Sequence, residues 1–170
     1  MQTSQQKVIV LDFGAQYGQL IARRVRDLHV YSEIMPCDAT AEEISAAGPS
    51  AIILSGGPAS VNEEGAPRVA PKIYELGIPV LGFCYGHQIT AVTLGGTVFH
   101  PEVGEYGRAE LHVKADSKLF ADTPANQTVW MSHFDAVNNV PEGFVVTAST
   151  DVCPVAAMEN AERKIYTTQF

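Results

Sequence analysis

Pro79-Val-Leu-Gly-Phe-Cys84-Tyr-Gly-His-Gln-Ile89 is the stretch that decides the fold. An apolar run that reads as a buried strand ends in Gly82-Phe83-Cys84-Tyr85-Gly86, and a helix-compatible stretch, His87 to Leu94, follows at once. This is the pattern glycine-x-nucleophile-x-glycine, a nucleophile elbow with cysteine as the nucleophile. A strand that turns directly into a helix leaves no room for side chains beside the turn, so glycines flank it. The nucleophile then stands strained at the top of a sheet, beside a helix N-terminus whose dipole favours thiolate over thiol. Two glycines at fixed offsets separate this reading from that of a buried core cysteine, the commoner fate of a free thiol.

Outward from the elbow, strand-like and helix-like segments alternate. Lys7 to Leu11 reads as a fully buried strand, and Gln19 to Leu28 as an amphipathic helix with Ile21, Val25 and Leu28 on its apolar face. Val30 to Ile34 is a second strand. Thr40-Ala-Glu-Glu43 is a capping box that opens a short helix, Ala41 to Ala47. Ala51 to Leu54 is a third buried strand, running into the turn Ser55-Gly56-Gly57-Pro58. A helix is expected before Gly77, with Pro67 and Pro71 near its first turn or breaking it. Pro79 to Phe83 is the fourth strand. After Gly95-Gly96 the pattern changes to alternating segments: Arg108 to Lys114, Gln127 to Met131, Phe144 to Ala148, Pro154 to Met158 and Lys164 to Gln169. These predict an antiparallel or mixed portion in the carboxyl-terminal half. The fold class is therefore α/β, a three-layer sandwich with a mostly parallel central sheet of flavodoxin-like type.

Composition narrows the function classes. The chain has 170 residues, enough for one domain with a full core, and its 46% apolar content is ordinary for a globular protein. A net charge of −8 offers no basic face, so nucleic acid is not an expected partner. No apolar run has the length of a membrane span, and Met1-Gln-Thr-Ser-Gln-Gln6 has no apolar region of a signal peptide. Cys37, Cys84 and Cys153 are odd in number and form no C-x-x-C pair, which predicts reduced thiols and a cytoplasmic protein. Without secretion, the sequon Asn126-Gln127-Thr128 carries no weight. Cys37 and Cys153 read as buried or partly buried thiols. His29, His87 and His112 lack ligand-like spacing, so no metal site is expected. Asp12-Phe13-Gly14 spells a kinase motif, but the loops that would accompany it are missing.

The chain resembles the class I glutamine amidotransferases, with Cys84 in the family's G-x-C-x-G-x-Q motif through Gln88. Leu11 to Leu20, Ile53 to Pro58, Glu105 to Arg108 and Val129 to His133 are, more narrowly, similar to the amidotransferase units of the GMP synthetase family. The similarity covers essentially the whole chain. It implies hydrolysis of the glutamine side-chain amide: Cys84 attacks the amide carbon, giving an oxyanion, then a thioester and ammonia. By the same resemblance the oxyanion donors are the backbone N–H groups of Gly57 and Tyr85, where glycine lets backbone approach substrate. Glutamine recognition carries over to Gln88, to the backbone near Ser132 and His133, and to Asp135, whose carboxylate suits an α-ammonium group. Where this chain has Phe134, the family commonly has glycine.

A thiolate needs a histidine to protonate the departing amine and then activate water. In the family it belongs to a His-Pro-Glu motif after a strand ending Gln-Phe. The last residues here, Ile165 to Phe170, match that strand, so residues 1–170 are expected to be an amidotransferase domain truncated before its catalytic His-Pro-Glu and final helix. His100-Pro101-Glu102 is expected to be a surface loop, and His133 is a second candidate base that the family uses through its backbone instead. The resemblance implies a glutaminase unit that supplies ammonia to an ATP-pyrophosphatase domain or subunit, which aminates XMP to GMP. No cofactor is expected in this domain; ATP and magnesium belong to the synthetase partner. The alternative is a catalytically dead binding module for glutamine or the synthetase, and a remote third is another cysteine hydrolase of similar fold.

Overall fold

Five parallel strands and four antiparallel ones share a single nine-stranded sheet in the computed structural model, which describes residues 6–114 and 116–170. Of the Met1–Gln6 stretch read for a signal peptide, only Gln6 is among them. The parallel half is β1 (Lys7–Asp12), β2 (Tyr31–Pro36), β3 (Ala51–Leu54), β4 (Val80–Phe83) and β11 (Ile165–Thr168), in the order β2-β1-β3-β4-β11. This is the doubly wound flavodoxin-like order, which gathers ligand-binding loops at the carboxyl ends of the strands. The sheet continues as β10 (Ala157–Asn160), β9 (Val145–Ser149), β6 (Glu105–Val113) and β7 (Asn126–His133), each antiparallel to its neighbour. The antiparallel portion expected from the alternating segments thus extends the same sheet. A separate two-stranded ribbon, β5 (Thr97–Phe99) with β8 (Ala136–Asn139), was not visible in the sequence.

Alternation along β1 sends Ile9 and Leu11 into the main core, with Ile52, Leu54, Ile44, Ile73 and Ile89. Each such side chain, once fully buried, contributes about 1.5–3 kcal/mol over exposure. Ile44 comes from α2 (Ala41–Ala47), which the expected capping box opens: Thr40 Oγ1 accepts from Glu43 N–H at 3.2 Å, and Glu43 Oε2 accepts from Thr40 N–H at 2.8 Å. Gly48 closes that helix at φ 64°. Ile89 comes from α3 (Tyr85–Thr93), the elbow helix, whose residues Tyr85 to Ala91 are all buried.

Three expectations need correction. In α1 (Gly18–Asp27), which packs on β1 and β2, the buried residues are Gly18 and Ala22; Ile21 and Val25 are half-buried and Leu28 is exposed. The helix approaches so closely that a Cβ on Gly18 would lie 3.2 Å from the Asp12 carboxylate, so small residues take the contact, and Leu28 lies past the helix end. Before Gly77 there is only a 3-10 turn, Pro71–Glu75, with proline at its start. The strand expected at Pro154 to Met158 lies later, at Ala157–Asn160. Among the described residues, no helix is long and apolar enough to cross a membrane.

Candidate active site

Carboxyl ends of β1, β3, β4 and β11 meet at one rim of the sheet. The elbow of β4 and α3 stands among them. Its glycines are required by contact: a Cβ on Gly86 would sit 2.5 Å from Leu54 O and 2.8 Å from Leu54 Cβ, and one on Gly82 would sit 2.6 Å from Gly86 O. Backbone of β3 therefore packs directly on the first turn of α3. Cys84 between them adopts φ 51°, ψ −103°, a strained conformation for a residue with a side chain. Cys84 N–H donates to Thr168 O at 2.8 Å and Gly86 N–H to Ser55 O at 3.1 Å, which ties the elbow to both flanking strands.

The turn after β3 lies against this elbow. A Cβ on Gly56 would be 3.6 Å from Cys84 Cβ, and one on Gly57 would strike Phe13 O at 2.7 Å. Fully buried Ser55 holds the turn, accepting from Phe13 N–H at 3.0 Å and donating to Gly56 O at 2.9 Å. Gly57 N–H donates to no acceptor among the described residues, and Tyr85 N–H is directed at Cys84 Sγ. The Tyr85 side chain points elsewhere, its hydroxyl donating to Pro67 O at 2.6 Å.

A file of polar groups runs from the cysteine into the antiparallel half. Gln169 Nε2 lies 3.6 Å from Cys84 Sγ. Gln88 Nε2 donates to Gln169 Oε1 at 3.1 Å and to Asp135 O at 2.8 Å. Gln88, Gln169, His133 and Asp135 are all buried. His133 Nδ1 also meets Asp135 O, at 3.0 Å, and its Nε2 meets Glu105 Oε2 at 3.2 Å. The structure thus brings Cys84, Gln88, His133 and Asp135 together, but not the Ser132 side chain. Ser132 is on the exposed face of β7, because alternation puts Met131 and His133 inward and sends it out. Gln169 and Glu105 were missed as site residues. Gln169 could have been suspected from its place in the family-like strand end Gln-Phe, and Glu105 from the family-like stretch Glu105 to Arg108, although only the strand register shows that it faces His133.

Asp135 is more engaged than a residue awaiting an ammonium group. Its Oδ2 accepts from Ser60 Oγ, and its Oδ1 pairs with His100 Nδ1 at 2.7 Å. The ring of His100 stacks on Phe134 with centroids 4.1 Å apart. His100-Pro101-Glu102 is a loop, as expected, and the His100 side chain is mostly exposed, yet it is anchored to a buried carboxylate. No imidazole hydrogen-bonds Cys84 Sγ among the described residues. His87 is fully buried within α3, Nδ1 2.7 Å from Thr167 Oγ1 and Nε2 3.0 Å from Val155 O.

Electrostatics correct one expectation. The helix dipole predicts a lowered Cys84 thiol, but burial pushes it above its ordinary value, against the pull of Tyr85 N–H and the Gln169 side chain. Burial and nearby Glu105 push Cys153 up to about 12, and burial with Asp38 raises Cys37. Glu105, His133 and Cys153 place one ligand atom each within 4.8 Å of one another, the group among the described residues best able to hold a cation. His133 Nε2 and Glu105 Oε2 already satisfy each other there.

Comparisons with known proteins show the family. A family model described as glutamine amidotransferase class-I matches residues 9–170. The chain is 60% identical over 164 residues to a glutamine-hydrolysing GMP synthase of Streptomyces coelicolor, covering 96% of this chain and 31% of that protein. A GMP synthase of Clostridium novyi is 54% identical over 170 residues, all of this chain and 33% of the relative. The chain thus spans about a third of the length of these curated relatives. Among solved structures, a protein of Thermoplasma acidophilum described as one subunit of a GMP synthase superposes with a TM-score of 0.87 at 32% identity, over 98% of this chain and 83% of the other. A glutamine amidotransferase of Thermotoga maritima shares the fold, with a TM-score of 0.74 at 21% identity over 98% and 75% of the two chains.

Proposed function

The chain belongs to the class I glutamine amidotransferases, and from that premise we propose that it is the glutaminase unit of a GMP synthase. One observation carries the reading: a cysteine strained at φ 51° at the end of β4, with the backbone N–H of Gly57 unpaired among the described residues and that of Tyr85 directed at the sulfur itself. Sγ attacks the side-chain amide carbon of glutamine, and the two N–H groups receive the charge that develops on the carbonyl oxygen. The C–N bond then breaks, nitrogen takes a proton and leaves as ammonia, and a thioester remains on Cys84. Water hydrolyses the thioester, releasing glutamate and restoring the thiol. Gln88 and the Asp135 segment orient the substrate. The domain needs no cofactor for this chemistry; ATP and magnesium act in an ATP-pyrophosphatase partner, which uses the ammonia to convert XMP to GMP.

Proton transfer requires a base that the hydrogen bonds of Sγ do not include. Because Gln169 touches Sγ and Thr168 O binds Cys84 N–H, a residue following Phe170 would leave the sheet beside the nucleophile. A His-Pro-Glu segment there would put an imidazole within reach. A second reading, a binding module that holds glutamine or the synthetase partner without turnover, is favoured by the lack of an imidazole hydrogen-bonded to Sγ among the described residues. Ammonia release from glutamine tests both. A chain extended by His-Pro-Glu and a closing helix is expected to release ammonia, and Cys84→Ala in it to reduce turnover by on the order of 10⁴-fold or more. Release that persists in Cys84→Ala would sink the proposal.

A further inference from the structure

Glu105 and His133 are directly opposite one another across β6 and β7, and their side chains are 10% and 3% exposed. Asp135 O can only accept, so His133 Nδ1 carries a proton toward it at 3.0 Å. His133 Nε2 then faces a carboxylate oxygen, Glu105 Oε2, at 3.2 Å. The other carboxylate oxygen, Oε1, accepts from Thr150 Oγ1 at 2.8 Å, so Glu105 is itself fixed from behind. Asp135 O is the same atom that receives Gln88 Nε2, and Gln88 in turn bonds the Gln169 amide at Cys84. An unbroken run of hydrogen bonds therefore joins Glu105, on the antiparallel half of the sheet, to the nucleophile on the parallel half.

We propose that Glu105 is a positioning residue: through His133 it sets the Asp135 carbonyl from which Gln88 hangs, and so sets the glutamine-binding wall beside Cys84. This rests on the glutaminase reading above. Unlike an ion pair that serves stability alone, this one ends on an atom, Asp135 O, that also holds Gln88. Freed of Glu105, the His133 ring loses the partner that fixes its orientation, and the Asp135 carbonyl keeps only Gln88. Substrate binding then weakens while the attack geometry at Cys84, held by the elbow glycines, is retained. Glutamine at position 105 keeps both hydrogen bonds, its amide N–H donating to a bare His133 Nε2 and its oxygen accepting from Thr150.

Labelling of Cys84 by a chloromethyl ketone built on the glutamine skeleton, with iodoacetamide as the unshaped control, tests this without requiring turnover. In Glu105→Ala the half-saturating concentration of the ketone is expected to rise about tenfold or more, with the limiting rate within about threefold and the iodoacetamide rate unchanged. Glu105→Gln is expected to match the parent. Equal half-saturation in Glu105→Ala and the parent, or a Glu105→Gln as impaired as Glu105→Ala, overturns the assignment. Should Glu105→Ala not fold, Glu105→Asp, one methylene too short to reach His133, takes its place. A parent that shows no saturation overturns the glutaminase reading instead. Amide hydrogen exchange over residues 132–136 then judges the anchor alone: faster exchange in Glu105→Ala than in Glu105→Gln supports it, and equal exchange refutes it.

Discussion

Lowering the pH should unseat α3 through His87. The imidazole is wholly enclosed between α3, Thr167 and Val155, and burial, with a smaller contribution from His133, pushes its pKa from 6.5 down to about 3. Neutral His87 suits its surroundings: Nε2–H donates to Val155 O, and Nδ1 accepts from the Thr167 hydroxyl. The unfolded chain protonates this histidine below pH 6.5, whereas the folded one does not until about pH 3. The stabilisation is therefore complete above pH 6.5 and is withdrawn as pH falls toward 3. One pH unit corresponds to about 1.4 kcal/mol, so His87 withdraws about 2 kcal/mol between pH 6.5 and 5. For a domain of this size that lowers Tm by about 4–8 °C. Thermal unfolding followed by circular dichroism from pH 8 to 5, for the parent and His87→Gln, isolates the residue from every other titrating group. His87→Gln should be the less stable protein at pH 8, and the gap should narrow by about 2 kcal/mol at pH 5. A gap that is constant with pH would show that His87 is not held neutral, and the argument from burial would fail.

Gly86→Ala puts a methyl group 2.5 Å from Leu54 O, against backbone that cannot yield; urea unfolding should show a loss of about 1–3 kcal/mol or more, and an unchanged midpoint would refute the contact. Cys153, fully buried with its pKa pushed up to about 12, should resist iodoacetamide in the folded protein and react only on unfolding, as mapped by mass spectrometry. His100→Ala should leave alkylation of Cys84 by iodoacetamide unchanged, since His100 is bonded to Asp135 and not to Sγ; a rate reduced about tenfold or more would make His100 the base.

What could be read from the sequence and what could not divide along sequence separation. The elbow declared itself because its parts are neighbours: Gly82, Cys84 and Gly86 span five positions, and the turn chemistry is local. The capping box at Thr40 and Glu43 was legible for the same reason, and the parallel strands because burial on both faces leaves unbroken apolar runs. β11 was legible as a strand of an antiparallel or mixed portion, but not its place at the junction, antiparallel to β10 and parallel to β4. Lys164-Ile-Tyr-Thr-Thr-Gln alternates like a half-exposed antiparallel strand, yet it lies inside the sheet, parallel to β4. Its threonines can be buried because Thr167 meets His87 and Thr168 donates to Phe170 O, pairings that no periodicity encodes. The pKa of Cys84 went the other way from expectation for a related reason: the dipole is a property of one helix, whereas burial is a property of everything packed around it.

The same division explains why the proposed glutamine-binding wall was only half visible. Motif resemblance located Gln88 and Asp135, but their orientation depends on Glu105, His133 and Gln169, which are far apart along the chain and meet only through strand register. Register also determines which members of Ser132–Asp135 matter. A slip of one residue in β7 would turn His133 to solvent and bring Ser132 in, breaking the contact with Glu105. The core residues Leu111 and Met131, inward-facing on β6 and β7, resist that slip because both would lose their burial. The apolar packing of the antiparallel half is thus what keeps a polar file, ending at a cysteine on the opposite half of the sheet, in line.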